Sequence, residues 1–148
     1  MEYVAIVFWI IGSLLPKQDM DTSLENLNKY YEAVAHIESG MRHDAKNPVT
    51  TAKSYFQITD GSFLTAKARA ARMGYDIQVK YVMTLGYEEQ RNLLFLDLYQ
   101  RRGTDQYIRG ILQGSKWFAL QTYFKFHHTN PCPATIARAK RIFGEYYD

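Results

Sequence analysis

Apolar residues recur along this chain at helical spacing, in stretches separated by polar segments carrying Gly, Pro, Asn and Asp. Val4 to Leu15 is a continuous apolar run closed by Pro16, too short to span a bilayer comfortably as a helix. Glu2 but no Lys or Arg precedes it, and no small-x-small cleavage pattern follows. Three readings therefore stand together: an uncleaved export or anchoring signal, a helix docked on a partner protein, and the domain's own first helix. Residues 1–16 are set apart on this basis from a domain at 17–148, with Lys17 to Ser23 as a polar linker. Thr22 and Glu25 then read as a capping box and Gly40 as a left-handed stop, bounding a helix with its own start. Removal of Met1 to Leu15 is accordingly expected to leave a soluble helical domain. Within the bounded helix, Leu24, Leu27, Tyr31 and Val34 form an apolar stripe, and its next position is Glu38.

Met41 to Pro48 is turn-like, and Val49 to Ile58, rich in Thr, Tyr, Phe and Ile, predicts short extended structure or a small hairpin. Asp60 to Ser62 starts a helix through Phe63 to Met73 that ends at Gly74, with Lys67, Arg69 and Arg72 read as a solvated face. Thr84 caps a long helix to Arg102; Leu93, Leu94, Phe95, Leu96, Leu98 and Tyr99 surround it, as expected of a central buried helix. Thr104 caps a shorter helix to Gln113, Ser115 one to about His128, and a last helix runs from Pro133 to Phe143. The sum is a mainly α domain with one small extended segment after the helix that carries Glu38.

At 148 residues the chain is long enough for one core. Its 47% hydrophobic and 22% charged content excludes disorder as the default. Twelve tyrosines and eight phenylalanines make it unusually aromatic; such faces suit sugar rings, although most belong to the core. The net charge of +3 favours an anionic wall, and without a nucleic-acid motif it does not argue for nucleic acid. The lone Cys132 rules out an internal disulfide.

Glu38 changes the picture most. A carboxyl group where the stripe calls for a core residue is costly unless paired, and burial disfavours its charged form, which is how proteins keep a general acid protonated near neutral pH. Pairing with Arg42, one turn on, is the plain alternative. Ala35 to Gly40 reads A-H-I-E-S-G and Ala52 to Ile58 reads A-K-S-Y-F-Q-I. Together they resemble the E-S-G and G-A-x-G-L-x-Q-I signatures of the lysozyme-like lytic transglycosylases, which cleave peptidoglycan. The chain departs from that pattern at Ser54, where glycine is usual, and at Tyr55, where leucine is usual.

The resemblance implies an α+β lysozyme-like fold, Glu38 as the single catalytic acid, Ser39 supporting its carboxyl group, and Tyr55 and Gln57 in the substrate groove. A later family motif, A-L-A-A-Y-N-x-G, is matched by A-L-Q-T-Y-F at Ala119 to Phe124, so Tyr123 is the counterpart of the tyrosine that approaches the glutamate. The asparagine and glycine are missing; His127, His128 and Asn130 follow instead, as in some phage relatives. His127 and His128 become candidates for binding sugar or peptide oxygens, while His36 and His43 read as surface imidazoles near the cleft. Adjacent helical histidines do not face each other, so no metal is expected, and no cofactor is implied.

The implied substrate is the glycan strand, cut between N-acetylmuramic acid and N-acetylglucosamine. A hydrolytic lysozyme, with Asp44 or Asp60 as second acid, is the nearest alternative. A structural phage tail or ejection subunit is another, with phage proteins as partners through the N-terminal segment. The virion or the bacterial periplasm and envelope is the expected location.

Overall fold

The computed structural model describes residues 3–148; residues 1 and 2 of the N-terminal segment lie outside the described residues. The described chain is mainly helical: α1 (Tyr3–Leu14), α2 (Met20–Ser39), α3 (Asp60–Arg72), α4 (Tyr87–Gln100), α5 (Asp105–Leu112), α6 (Lys116–Thr122) and α7 (Pro133–Tyr147). A 3-10 turn at Val82–Thr84 precedes α4, and a π-helical turn at Tyr123–His127 continues α6.

α2 begins earlier than the proposed capping box. Asp19 Oδ2 accepts from the Thr22 N–H at 3.1 Å, so Asp19 is the cap and Thr22 lies inside the first turn. A carboxylate at that end also meets the positive pole of the helix. Gly40, at φ +64°, closes α2: its own N–H and that of Met41 return to the carbonyls of His36 and Ala35. Leu27, Tyr31 and Val34 enter the core as the stripe requires, and Leu24 packs at its edge.

α1 is built into the same core. Ile6, Val7, Ile10, Ile11 and Leu14 are buried, and the helix packs against α2 and α5. Its end is tied down where Arg109 Nε donates to the Leu14 carbonyl at 3.1 Å, and the following Gln18 Nε2 donates to the Leu112 carbonyl at 2.6 Å. Phe8 and Trp9 stay exposed on the outer face. No described helix is long and apolar enough to cross a membrane. Of the three readings of the apolar run, this packing is that of a domain's own helix.

α4 starts at Tyr87, two residues later than a Thr84 cap would place it: Glu89 Oε1 accepts from the Gly86 N–H at 3.1 Å, leaving Thr84 in the 3-10 turn. Leu93, Phe95, Leu96 and Leu98 are buried on it, alongside the polar Gln90, Asn92 and Asp97. Thr104 does not cap α5 with its side chain. Its hydroxyl instead lies 2.9 and 3.0 Å from the carbonyls of Leu98 and Arg101, closing α4. Ser115 caps α6 as read, accepting from the Phe118 N–H at 3.2 Å. The solvated face on α3 is only partly solvated: Lys67 Nζ donates to the Val79 carbonyl at 3.0 Å and Arg69 pairs with Asp97 at 2.7 Å, leaving Arg72 exposed.

The segment after α2 is a knot of turns rather than a hairpin. It contains two isolated antiparallel bridges, Lys46 with Lys53 and Lys53 with Ile58. Ser54 and Gln57 adopt φ +68° and +52°, which folds residues 54–57 tightly back and prevents a ladder from extending. Ser54 is fully buried in this left-handed conformation, and its hydroxyl accepts from Gln90 Nε2 at 2.9 Å. That bond offsets part of the ~1–2 kcal/mol which the conformation costs a residue with a Cβ.

α5 and α6 approach closely because position 110 has no side chain. A Cβ there would lie 2.1 Å from Phe118 Cγ. Gly110→Ala is therefore expected to destabilise the fold by about 1–3 kcal/mol, the usual range for overpacking, read as a lower thermal midpoint. An unchanged midpoint would mean that Phe118 moves freely aside.

Candidate active site

Glu38 stands in the last turn of α2 with 11% of its side chain exposed. The Tyr123 hydroxyl, from the end of α6, donates to Glu38 Oε1. His128 Nδ1 lies 3.3 Å from the same oxygen and 3.3 Å from the Tyr123 hydroxyl. Burial, followed by the Glu38 charge and this hydrogen bond, holds Tyr123 well above the ordinary tyrosine range, so the phenol stays neutral and donates. Both contacts to the carboxyl group use Oε1.

Backbone geometry assembles the group. At Tyr123 the helix widens to a π-turn, closed by the His128 N–H donating to the Tyr123 carbonyl at 2.8 Å. The wider turn brings residue 128 back beside residue 123, and π-turns of this kind are frequent at functional sites. His127 remains stacked on the Tyr123 ring, with ring centroids 5.6 Å apart and planes 19° from parallel. Both histidines thus reach the site from adjacent positions, which a regular α-helix would not allow.

His127 Nε2 is 3.0 Å from the Phe56 carbonyl, so it carries the proton and donates. Burial pushes this imidazole below the ordinary histidine range, and the Glu38 charge and the Phe56 carbonyl oppose the shift without cancelling it. Protonation then favours the unfolded chain. Stability from this group is complete above about pH 6.5, the unfolded value, and declines as pH falls toward the lower folded value. The thermal midpoint of the native protein is expected to drop between pH 7 and pH 5 more steeply than that of His127→Gln. Equal slopes would remove His127 as the cause.

The remaining candidates are placed as follows. The Ser39 hydroxyl is 3.1 Å from the Ala35 carbonyl and 2.8 Å from the Tyr55 carbonyl, and it accepts from the Arg42 N–H at 3.1 Å. It ties the end of α2 to the following loop and does not bond the Glu38 carboxyl group. Tyr55 is half-buried, 5.4 Å from the His43 ring and edge-on to Tyr87 at 5.3 Å. Gln57 turns its amide inward, with Nε2 3.1 Å from the Ser54 carbonyl and 3.4 Å from that of Ala45. Its amide nitrogen braces the loop.

His43 contacts the Leu85 carbonyl at 3.2 Å, and His36 is exposed beside Tyr146. Neither joins Glu38. The Arg42 alternative fails because its Nε donates to the Ser39 carbonyl at 2.9 Å. Sequence reading missed Arg138, on α7, whose Nε donates to the Ile37 carbonyl at 3.1 Å and whose charge acts on Tyr123. No motif marks it; its position depends on how α7 packs against α2.

The acid acting on both Tyr123 and His127 is Glu38. Asp44 is exposed, and Asp60 is held by Lys53 at 3.1 Å. Among the described residues no three His, Cys, Asp or Glu side chains converge as a metal-binding group. The arrangement is a largely buried carboxyl group with one oxygen accepting from a neutral phenol and lying 3.3 Å from an imidazole nitrogen. Comparison of the chain with protein-family models, with curated proteins and with solved structures finds no match.

Proposed function

We propose that this protein is a lytic transglycosylase of the lysozyme-like α+β class, cleaving peptidoglycan between N-acetylmuramic acid and N-acetylglucosamine. One observation carries the reading: the carboxyl group of Glu38 is held through Oε1 by the Tyr123 hydroxyl and by His128 Nδ1, where the sequence motifs place a single acid and its tyrosine.

Protonated Glu38 gives its proton from Oε2 to the bridging oxygen as the bond from C1 of the muramic residue breaks. The N-acetyl oxygen of that residue shields the developing positive charge at C1, so no second protein carboxylate is required. The ionised Glu38, stabilised by the Tyr123 donor, then takes the proton of the muramic C6 hydroxyl, and O6 closes on C1. One proton leaves the carboxyl group and one returns, no water is consumed, and the product is an anhydro sugar. His128 Nδ1, 3.3 Å from both Glu38 Oε1 and the Tyr123 hydroxyl, holds the carboxyl group and the phenol together. The mildly basic chain suits an anionic wall in the virion or bacterial envelope, and the exposed Phe8 and Trp9 on α1 offer a contact for a phage structural partner.

Mass analysis of muropeptides released from purified peptidoglycan tests the reaction. Products lighter by one water than hydrolytic muropeptides are expected. Products with only reducing-end muramic acid would make the protein a lysozyme.

A further inference from the structure

The Tyr123 hydroxyl has one proton to give and two acceptors within reach. Glu38 Oε1 is much the closer, while His128 Nδ1 is 3.3 Å away, so the proton goes to Oε1. The hydroxyl oxygen of a carboxylic acid is the poorer acceptor of its two, so the oxygen that takes this bond carries no proton of its own. His128 Nδ1 then lies 3.3 Å from Oε1 and 3.3 Å from a phenol oxygen whose proton is already given. A bare nitrogen there would set its lone pair against two oxygens with nothing to donate. A nitrogen carrying a proton can donate to either, so the contacts call for the Nδ1–H form of the ring. His127, one residue earlier, has the opposite form, because its Nε2 donates to the Phe56 carbonyl.

With Oε1 accepting from both neighbours, the proton of the uncharged carboxyl group sits on Oε2. The neutral imidazole that donates through Nδ1 has an unprotonated Nε2, which is an acceptor. That Nε2 has no partner among the described residues. Nor is it enclosed. The side chain is 34% exposed, and the buried side-chain oxygens and nitrogens without a partner belong to Tyr87, Gln90 and Tyr147. One ring carbon separates the two nitrogens, so an open acceptor stands beside the Glu38 carboxyl group.

We infer that His128, in its Nδ1–H form, is a ligand-recognition residue: Nδ1 steers the Glu38 proton to Oε2, and Nε2 accepts a hydrogen bond from an uncharged donor on the ligand. A neutral imidazole acceptor fits a hydroxyl or an amide N–H and disfavours an anion, and an N-acetyl sugar carries both donors. That choice of ligand rests on the proposed function, whereas the form of the ring does not. The plain alternative is a relay in which Glu38 holds its proton on Oε1 and gives it to the phenol oxygen, and the phenol donates to Nδ1. His128 would then carry Nε2–H and only brace the pair.

Nitrogen NMR of the native protein at about pH 8, above the ordinary imidazole value of ~6.5, reads the ring form directly. His128 is expected to show a protonated Nδ1 and a bare Nε2, the reverse of His127. A protonated Nε2 on His128, alone or together with Nδ1, overturns the inference. Titration with the tetrasaccharide of N-acetylglucosamine is then expected to displace the His128 Nε2 resonance, as acceptance of a hydrogen bond does. Sugar binding around residues 38 and 123–128 with that resonance unmoved overturns the recognition role. His128→Asn keeps a donor near the place of Nδ1 and has nothing at Nε2. Its affinity for the tetrasaccharide is expected to fall ~10-fold, the upper end of what one uncharged hydrogen bond contributes, with the amide shifts of Glu38 and Tyr123 close to native. Native-like affinity in this variant also overturns the role; should the variant not fold, the titration of the native protein decides alone. If the sugar does not bind at all, the sugar assignment falls together with the proposed function, and the ring form, read without any ligand, still stands.

Discussion

Glu38→Gln is expected to abolish wall cleavage while leaving the fold intact. A glutamine keeps the carbonyl oxygen that accepts from Tyr123 and fills the same volume, but it has no proton to transfer at the position of Oε2. General acid assistance alone is typically worth ~10²–10⁴ in rate. In the proposed reaction the same group also serves as the base, so a loss of about 10⁴ or more is expected. Thermal stability should be unchanged or slightly higher, because the variant removes an ionisable group from a half-buried site. Turbidity clearance of purified cell walls, beside a thermal melt of the same preparation, measures both. Near-native clearance by a folded variant would sink the assignment of Glu38.

Deletion of residues 1–15 is expected to destroy cooperative unfolding, against the expectation drawn from the capping pattern alone. Ile6, Val7, Ile10, Ile11 and Leu14 are between 0 and 7% exposed. Burying a large aliphatic side chain contributes ~1.5–3 kcal/mol, so this face accounts for on the order of 10 kcal/mol, an upper estimate because unfolded chains already bury part of that surface. Whole domains are stable by only about 5–15 kcal/mol. The deletion also bares the apolar surfaces of α2 and α5 that α1 covers. Circular dichroism of the truncated chain should show a broad melt with no defined midpoint. A sharp transition near that of the full chain would show that α1 is dispensable.

The helical architecture was legible along the chain because burial on one face leaves a period in the sequence. The stripe through Leu27, Tyr31 and Val34 pointed at Glu38, and it is the same face that carries Glu38 to the Tyr123 hydroxyl. Stops at Gly40 and the cap at Ser115 were equally local, since each depends on a residue's own backbone preference or on a neighbour a few positions away. Where two local caps competed, sequence misjudged the outcome: Asp19 displaced Thr22, and Gly86 with Glu89 displaced Thr84.

Features that depend on distant partners were hidden. Val49 to Ile58 has strand-forming composition, yet the left-handed turns at Ser54 and Gln57, with Ser54 bonded to Gln90 from α4, fold it into a brace. The apolar run at the N-terminus was open to three readings because its period does not say which surface it covers; its contacts with α2 and α5 do. Arg69 looked like part of a solvated face until Asp97, 28 residues on, supplied its partner. Regular α-helical geometry keeps adjacent side chains from facing each other, and on that ground the sequence offered no metal pair at His127 and His128. The π-turn closed between Tyr123 and His128 leaves His127 stacked on the phenol ring and brings His128 Nδ1 to 3.3 Å from its hydroxyl. Sequence alone determined which residue types were available and the helices that carry them, because propensity and period are local. Tertiary structure decided which side chains meet at Glu38, because that depends on contacts between residues as far apart as 38 and 128.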